Sequence, residues 1–197
     1  MSKPALETRE LILQAALTRF AEKGYAGTSV QEIVDAARVT KPALYYHFQN
    51  KADLYRALVD WAFEERFHLM QEAAGQDGTL GRQLANICAV SFEFIRKNRD
   101  LTRLAFATAF AARGEVPDEA QCFRKGKRNF DFIHDLIKKA VARREVGRQF
   151  NTEELAMGFV GIMNFYVMVF LVGPGPSLTP RCAQRIVEFF LAGARPS

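Results

Sequence analysis

Cysteine and histidine are scarce in this sequence of 197 residues, with three of each. They are Cys88, Cys122 and Cys182, and His47, His68 and His134. The cysteines lie far apart without a C-x-x-C pair, and the histidines show no metal-ligand spacing, which argues against a disulfide framework and a zinc site. We therefore expect buried thiols in a reducing compartment, and neither a metal nor another cofactor.

Motifs of catalysis are also missing. The sequence contains no H-E-x-x-H, no G-x-S-x-G and no glycine-rich phosphate loop, and the glycine and proline stretch at 173–176 carries no lysine. Because no nucleophile, general base or metal can be assembled, an enzyme is the weaker class of function, and we expect no catalytic residues.

The N-terminal segment lacks an apolar signal-peptide core and a small-residue cleavage site, and it passes directly into a charged amphipathic helix. No repeat of about 20 to 50 residues and no low-complexity tract is present. We expect a cytoplasmic protein.

The composition that remains is that of an ordered globular protein, with 49% hydrophobic and 25% charged residues. The formal net charge is +5 and the pI is about 9.2, which favours an anionic partner without separating nucleic acid from an acidic membrane surface. The stretch from residue 38 to residue 56 is strongly basic. Its charged residues are Arg38, Lys41, Lys51 and Arg56, with Asp53 as the one acidic residue. The place of this positive charge along the chain is therefore more informative about the partner than the net charge of the whole chain.

The apolar periodicity predicts an all-α fold without strands. A first helix ends at Gly24, a second begins with the capping box Ser29–Glu32, and a short third helix begins with Thr40 as N-cap and Pro42 in its first turn. A box-like pattern at 50–53 starts the fourth. Further helices are predicted to about residue 74, over 80–97 and 101–113, to near 147, and over 152–172 and 179–194, about nine in total.

The third helix has an apolar side for packing and a polar and aromatic side, as a helix that reads DNA requires. Leu44 and Phe48 lie four residues apart and are predicted to face the core. The rest of the circumference carries Lys41, Pro42, Ala43, Tyr45, Tyr46 and His47. In a helix-turn-helix the start of the second helix enters the major groove, where lysine can reach guanine acceptors and small apolar groups can meet thymine methyls.

Three segments of the sequence contain or flank this helix. They are Gly24-Tyr-Ala-Gly-Thr28 with Val30-Gln-Glu-Ile-Val-Asp-Ala-Ala37, then Val39-Thr-Lys-Pro-Ala-Leu-Tyr-Tyr-His-Phe48, and Asn50-Lys-Ala-Asp-Leu54. Over about residues 9–58 the sequence thereby resembles the TetR family of bacterial repressors. The resemblance implies a helix-turn-helix domain over 1–50 and a helical effector-binding and dimerisation domain over 51–197. It also implies a homodimer that binds a palindromic double-stranded DNA operator and releases it when a small-molecule effector binds.

The resemblance further assigns the DNA contacts. Base-edge contacts fall to Gln31, Lys41, Pro42 and Ala43, and backbone contacts to Thr28, Tyr45, Tyr46, His47 and Lys51, with Thr40 counted among them as the N-cap. Arg38 stands where such repressors usually have glycine. A bulky residue at positive φ costs ~1 kcal/mol or more, so Arg38 either changes the turn or offsets this cost by contacting a phosphate.

One late segment is apolar on every side. Residues 155–172 carry no charge, with Asn164 the one clearly polar residue, and the predicted helix, capped by Thr152 with its following glutamates, spans ~27 Å. We expect it to be buried all round, in a homodimer interface formed by 152–172 and 179–194. A membrane span is the alternative that its length allows. The preceding glutamates and the lack of flanking Lys or Arg favour the dimer, and we expect no membrane contact.

The region beyond residue 58 is rich in phenylalanine, which predicts an apolar pocket for a lipophilic or aromatic effector. The candidate residues are Phe106, Phe110, Phe130 and Met163, with Arg103, His134, Asn164 and Tyr166 as polar groups that orient the effector. The remaining rival is a helical adaptor that binds protein alone. Salt separates the two, because phosphate contacts weaken steeply as salt rises and an apolar interface does not.

Overall fold

The computed structural model describes residues 3–75, 78–112, 114–117, 119–147, 149–175 and 177–194. Within these ranges the chain forms helices and no strands, so the predicted all-α class is confirmed. The helices are α1 Lys3–Lys23, α2 Val30–Ala37, α3 Lys41–His47, α4 Lys51–Ala74, α5 Leu80–Lys97, α6 Arg99–Phe110, α7 Glu119–Ala142, α8 Thr152–Val172 and α9 Pro180–Gly193.

The chain packs as two compact units. The first is Met1–Phe63 with Asp100–Phe123, and the second is Glu64–Arg99 with Arg124–Ser197. The first unit therefore contains most of α6 as well as the N-terminal helices, which the sequence did not indicate. The predicted domain boundary at residue 50 stays a prediction.

In the first unit α1 packs against α2 and α3. The buried side chains at this junction include Ile12, Ala16 and Phe20 of α1, Ile33, Val34 and Ala37 of α2, and Leu44 and Phe48 at α3. A separate contact joins α4 to α6, where the buried Tyr55 hydroxyl and Thr108 Oγ1 share a hydrogen bond of 2.7 Å. Apolar packing and this buried bond hold the unit that carries α3.

The predicted caps of α2 and α3 are confirmed. The Ser29 Oγ accepts from the Glu32 N–H at 3.2 Å, and the Glu32 carboxylate accepts from the Ser29 N–H at 2.8 Å. Thr40 is the N-cap of α3 and Pro42 lies in its first turn. The Lys23 ammonium also donates to Glu32, and these bonds hold the pKa of Glu32 at about 2, with the Lys23 bond the largest cause. The two helices are thus set at fixed positions along the chain.

The turn between α2 and α3 contains Arg38 in the left-handed conformation, at φ 56° and ψ 42°. Its N–H donates to the Asp35 carbonyl at 3.3 Å, and the Val39 N–H donates to the Val34 carbonyl at 3.0 Å. This is the Schellman arrangement that usually places glycine where Arg38 stands. Arg38 therefore does not change the turn, and a phosphate contact that offsets its strain stays a prediction.

Replacing Arg38 with glycine is expected to raise the free energy of unfolding by up to about 1 kcal/mol, because glycine adopts this conformation without the Cβ clash. Arg38→Val should lower it, since a branched Cβ tolerates positive φ poorly. Denaturant unfolding of the three proteins checks both signs. A glycine variant less stable than the valine variant would contradict the strain.

In the second unit α5 packs against α9 and α8. The close approach depends on Gly81, where an added Cβ would lie 2.9 Å from Leu191 Cδ1. Phe159 of α8 and Phe190 of α9 pack with ring centroids 5.4 Å apart. At the start of α5 the Leu80 N–H donates to the Glu145 carboxylate at 2.6 Å. This core holds one side of α8.

Some helix ends differ from the prediction. The helix α6 begins two residues earlier than expected and ends at Phe110, and α7 ends at Ala142 in place of residue 147 because Arg144 turns the chain at φ 61°. The N-cap of α8 is Asn151 and not Thr152, since the Asn151 side chain accepts from the Glu153 N–H at 2.7 Å. Thr152 is then the first helical residue.

Candidate nucleic-acid interface

The helix α3 exposes a polar and aromatic surface on a buried support. Leu44 and Phe48 are buried as predicted. On the other side Lys41 and Pro42 are exposed, and Tyr45 and Tyr46 are 51% and 76% exposed. We call these four residues, Lys41, Pro42, Tyr45 and Tyr46, the α3 outer face. Large aromatic side chains so open to solvent are unusual in a helix with only a packing role.

The start of α3 is held by Thr40, whose Oγ1 accepts from the Ala43 N–H at 3.3 Å. Thr40 itself is exposed and Ala43 is half-buried. This cap and the fixed φ of Pro42 order the first turn, where Lys41 projects. The predicted base-edge residues of α3 therefore lie together at its first turn.

At the other end of α3 the rings of Tyr46 and His47 meet edge to face at 4.9 Å between centroids. His47 is half-buried and also lies beside Phe48. Behind them the Arg9 guanidinium lies 5.4 Å from the centre of the Phe48 ring. The sequence did not single out Arg9, because its position beside Phe48 depends on how α1 packs against α3.

Gln31 lies on the exposed side of α2. Its Nε2 donates to the Asp35 Oδ1 at 2.7 Å, one helical turn later. This bond orders the side chain and leaves its carbonyl oxygen as an acceptor. An amide held in this way suits recognition of a base edge better than a freely rotating one does.

Thr28 differs from the other predicted DNA-binding residues, since it is only 2% exposed. Its hydroxyl lies 2.8 Å from the Gly24 carbonyl and 3.1 Å from that of Arg19, and it donates into the interior. A hydroxyl has one proton to give. The structure thus places the side chain of Thr28 in support of the chain between α1 and α2, and its phosphate contact stays a prediction.

Lys51 links the start of α4 to the chain between α1 and α2. Its Nζ donates to the carbonyls of Tyr25 and Thr28, both at 2.8 Å, and lies 4.3 Å from the centre of the Tyr25 ring. We call this arrangement the Lys51 clasp. A lysine at the start of a helix opposes the helix dipole unless negative charge is supplied. Two carbonyl oxygens and a ring face supply it here.

Replacing Lys51 with methionine is expected to lower the free energy of unfolding by about 1–3 kcal/mol, because two charge-assisted hydrogen bonds are lost and two partly buried carbonyls lose their donor. Lys127→Met is the matched control, since Lys127 pairs with Asp131 on an exposed helix face and should matter little. Denaturant unfolding compares the two. Equal effects of the two changes would contradict the clasp.

The predicted effector residues lie in both units. Arg103, Phe106 and Phe110 are on α6 in the first unit, where Phe110 is 84% exposed. The others, in the second unit, are Phe130 and His134 on α7 and Met163, Asn164 and Tyr166 on α8. Their role stays a prediction.

Within the second unit His134 shares a hydrogen bond of 2.9 Å with the Thr152 hydroxyl, and its ring lies 6.0 Å from that of Phe130. Met163 is buried in the core. Tyr166 is the member of this set that lines a described cavity of about 500 Å³ at α8 and α9, together with Arg185 and Phe189. This cavity is half open and combines apolar side chains with cations.

The helix α8 is covered on one side and open on the other. Leu155, Phe159, Met163 and Val167 are buried at a spacing of four residues. The open side presents large apolar residues, which we call the α8–α9 apolar face: Met157, Phe165, Met168 and Val172 of α8 and Phe189 of α9. The expectation that α8 is buried on every side is therefore not met within one chain.

By length and composition α8 could cross a membrane, with a mean hydropathy of 2.2, and 33% of its most apolar window is buried. Gly158 and Gly161 lie on the open side, and no atom lies within 4 Å of a Cβ added at either. Glycines on an apolar helix surface allow a second helix to approach closely. The open side is thus shaped for close helix contact.

Comparison with known proteins points to the N-terminal region. The family model described as bacterial regulatory proteins, tetR family, matches residues 12–58. The HTH-type transcriptional regulator TtgR of Pseudomonas putida is 41% identical over 73 residues, which are 37% of this chain and 35% of TtgR. The HTH-type transcriptional activator FasR of Mycolicibacterium smegmatis is 27% identical over 136 residues, which are 69% of this chain and 61% of FasR. The match thus spans about a third of TtgR.

A solved structure extends the likeness to the fold. The TetR family transcriptional regulator PfmR of Thermus thermophilus superposes with a TM-score of 0.75 at 18% identity, over 92% of this chain and 97% of PfmR. At that identity the likeness shows the fold alone. Residues 12–58 thus match the model of the tetR family of bacterial regulatory proteins, and the chain shares the fold of PfmR.

Proposed function

We propose that this chain is a cytoplasmic transcriptional regulator that binds a palindromic DNA operator as a homodimer. We further propose that it represses transcription until a small apolar or aromatic effector releases it. The observation that carries the proposal is the α3 outer face, a helix surface with an exposed lysine and two exposed tyrosines on a rigid apolar support. A duplex groove is a partner that uses all of these groups.

In the proposed complex the first turn of α3 lies in the major groove. Lys41 reaches the O6 and N7 acceptors of a guanine, and Pro42 and Ala43 contact thymine methyl groups. The ordered amide of Gln31 on α2 adds a base contact. These four residues select sequence.

Phosphate contacts fix the register on the duplex of the proposed helix-turn-helix domain over residues 1–50, which we call the head. Tyr45, Tyr46 and His47 present hydroxyl and ring N–H donors for this purpose, and the exposed Arg38 adds a cation in the preceding turn. Two of the three ammonium protons of Lys51 serve the clasp, so Lys51 orders the chain before α2 and has one proton left for a phosphate.

The α8–α9 apolar face supports the proposed homodimer. One side of α8 already packs in its own chain, so a second copy is needed only for the open side, and a two-fold axis lets the same patch serve both partners. A membrane would solvate that side as well. However, Glu153 and Glu154 start the helix and Phe159 and Met163 bury its other side in protein, which favours a partner chain. Two-fold symmetry also sets two α3 helices on one palindrome.

Release follows if the effector binds more tightly to a dimer whose two heads are wrongly spaced for successive major grooves. The equilibrium then shifts by the differential affinity of the effector for the two states. The many phenylalanines of the second unit favour an effector with an apolar body, because such a ligand gains most from leaving water.

The test is binding to duplex DNA from upstream of the chain's own gene, measured by electrophoretic shift and by anisotropy over a range of salt. A dimer that neutralises about 6–10 phosphates should lose roughly three to five orders of magnitude in affinity between about 50 and 200 mM salt. A scrambled duplex should bind more weakly. Absence of DNA binding, together with salt-insensitive capture of a protein partner, would leave the adaptor as the function.

A further inference from the structure

Arg66, in the second unit, has no counter-ion among the residues that the structure describes. It lies on α4, is partly buried, and its Nε is shut off from solvent without a hydrogen-bond partner. No ion pair joins it to any carboxylate in the part of the chain that the structure describes. One turn before and after it the helix carries Ala62, Leu69 and Met70. The residues one turn away from Arg66 on α4 are therefore apolar.

Neither the neighbouring carboxylates of α4 nor the Cys88 thiol neutralises the charge of Arg66. Glu64 pairs with Arg128 at 3.1 Å, and Glu65 is exposed. Burial raises the pKa of the Cys88 thiol to about 12, so Cys88 is neutral. Burial likewise lowers the pKa of Arg66, yet a guanidinium keeps its proton in proteins. The charge therefore remains, and no carboxylate among the described residues pairs with it.

Several further buried polar atoms in the described part of this unit lack a hydrogen-bond partner: Gln83 Oε1, Ser91 Oγ, Arg128 Nε and Nη2, and Asn129 Oδ1. Ser91 is fully buried on α5 and its Oγ has no hydrogen bond, and Asn129 is buried on α7 with its Oδ1 unbonded. A buried polar atom without a partner is destabilising, so each such atom calls for an explanation. A ligand that bonds to Arg66, Ser91 and Asn129 would satisfy three of these atoms.

A hydrogen bond near the connection between α4 and α5 relates the two helices, because Gln83 Nε2 on α5 donates to the Ala74 carbonyl at the end of α4 at 3.2 Å. Eight residues back along α4 from Ala74 is Arg66, and eight residues forward along α5 from Gln83 is Ser91. Cys88, whose thiol interacts with Arg66, lies one turn before Ser91.

The helix α7 reaches the same level of α4. The guanidinium of Arg128 stacks 4.1 Å from the centre of the Phe67 ring, and Phe67 also packs edge to face against Phe132. Asn129 follows Arg128 directly. The helices α4, α5 and α7 thus each carry a buried polar atom without a hydrogen-bond partner, namely Arg66 Nε, Ser91 Oγ and Asn129 Oδ1.

We propose that Arg66 is the anion-binding residue of the effector site, and that the effector is an apolar monocarboxylate whose carboxylate pairs with Arg66 and accepts a hydrogen bond from Ser91. This rests on the proposed ligand-responsive function and names its ligand class. The planar guanidinium suits a carboxylate bidentately. Asn129 Oδ1 accepts from a donor elsewhere on the ligand, such as a hydroxyl. The polar group that orients the effector is then Arg66, which no local pattern in the sequence indicates.

The test uses the full chain and a panel of straight-chain and aryl monocarboxylates, each with its primary amide as the neutral match, and inorganic phosphate. Binding is measured by calorimetry and by the shift in Tm. At least one acid should bind the wild type, raise its Tm by about 2 °C or more, and bind about 10- to 100-fold more weakly to Arg66→Gln. Its amide should bind as weakly to the wild type as the acid does to the variant.

Arg96→Gln is the matched control, because Arg96 lies on the exposed side of α5 and should not affect binding. Arg66→Met separates ligand binding from a structural role. Removing an uncompensated charge should leave the Tm without ligand unchanged or higher, whereas loss of a structural arginine lowers it. The proposal is overturned if no acid binds, if amides or phosphate bind as well as the acids, or if Arg66→Gln binds like the wild type.

Operator binding is measured on the same proteins. Without ligand the Arg66 variants should bind DNA like the wild type, and the acid should release the wild type but not Arg66→Gln. Acid binding without any DNA binding would refute the proposed function and keep the anion site. DNA binding with no selective acid binding would refute the anion site alone.

Discussion

Phe165→Glu is expected to convert the dimer into monomers and to abolish operator binding at concentrations where the wild type binds. Phe165 is 60% exposed at the middle of the α8–α9 apolar face, close to the open surface at Gly161. A two-fold interface would bury two such carboxylates without a partner. Breaking charge compensation in this way costs about 3 kcal/mol or more, which weakens association by at least about 100-fold.

The monomer should remain folded, because the replaced ring is mostly open to solvent in the single chain. Light scattering after size exclusion gives the mass, circular dichroism the helix content, and anisotropy the DNA affinity. Phe150→Glu is the control, since Phe150 is exposed before α8 begins and lies outside the α8–α9 apolar face. A Phe165→Glu protein that is dimeric and binds the operator normally would place the interface elsewhere.

Lys41→Ala is expected to weaken operator binding by about 10- to 100-fold and to reduce the difference between the operator and a mismatched duplex. A bidentate contact to guanine contributes about 1–3 kcal/mol of discrimination. Lys51→Met should weaken binding to every duplex by a similar factor, because the clasp orders the head without reading a base. Competition titrations with matched and mismatched duplexes measure both effects.

Lys97→Ala provides the control, as Lys97 pairs with Glu93 on an exposed side of α5. It should leave affinity and discrimination unchanged. If Lys41→Ala and Lys51→Met cause equal losses on all sequences, Lys41 does not contact bases, and the α3 outer face serves the phosphates alone.

The head could be predicted from the sequence because its signals are local. The Ser29–Glu32 box, the Thr40 cap and the spacing of Leu44 and Phe48 depend on bonds and contacts within one helical turn. Such features depend only on residues that are close together in the sequence. The exposure of the tyrosines on α3 followed from the same periodicity.

Contacts between distant residues were not predictable. The Lys51 clasp joins residues 26 and 23 positions apart, and the Tyr55–Thr108 bond spans 53. Thr28 could not be recognised as a buried residue, because a threonine before a helix is equally compatible with either environment. In each case packing decides the partner, and no local pattern encodes it.

For α8 the composition indicated how apolar the helix is, but not which side its own chain covers. The spacing of Leu155, Phe159, Met163 and Val167 marks the covered side only once α5 and α9 are in place. The effector residues were selected by type, and they lie in two units. Arg66 was passed over because a charged residue on a helix is usually exposed.

The central claim is that two α3 outer faces read one stretch of duplex through its major groove, and interference footprinting tests it most directly. Methylation of guanine N7, or replacement of thymine by uracil, should block binding within two half-sites centred about 10 base pairs or a multiple of one turn apart. Interference confined to the minor groove, or to a single half-site, would contradict the account.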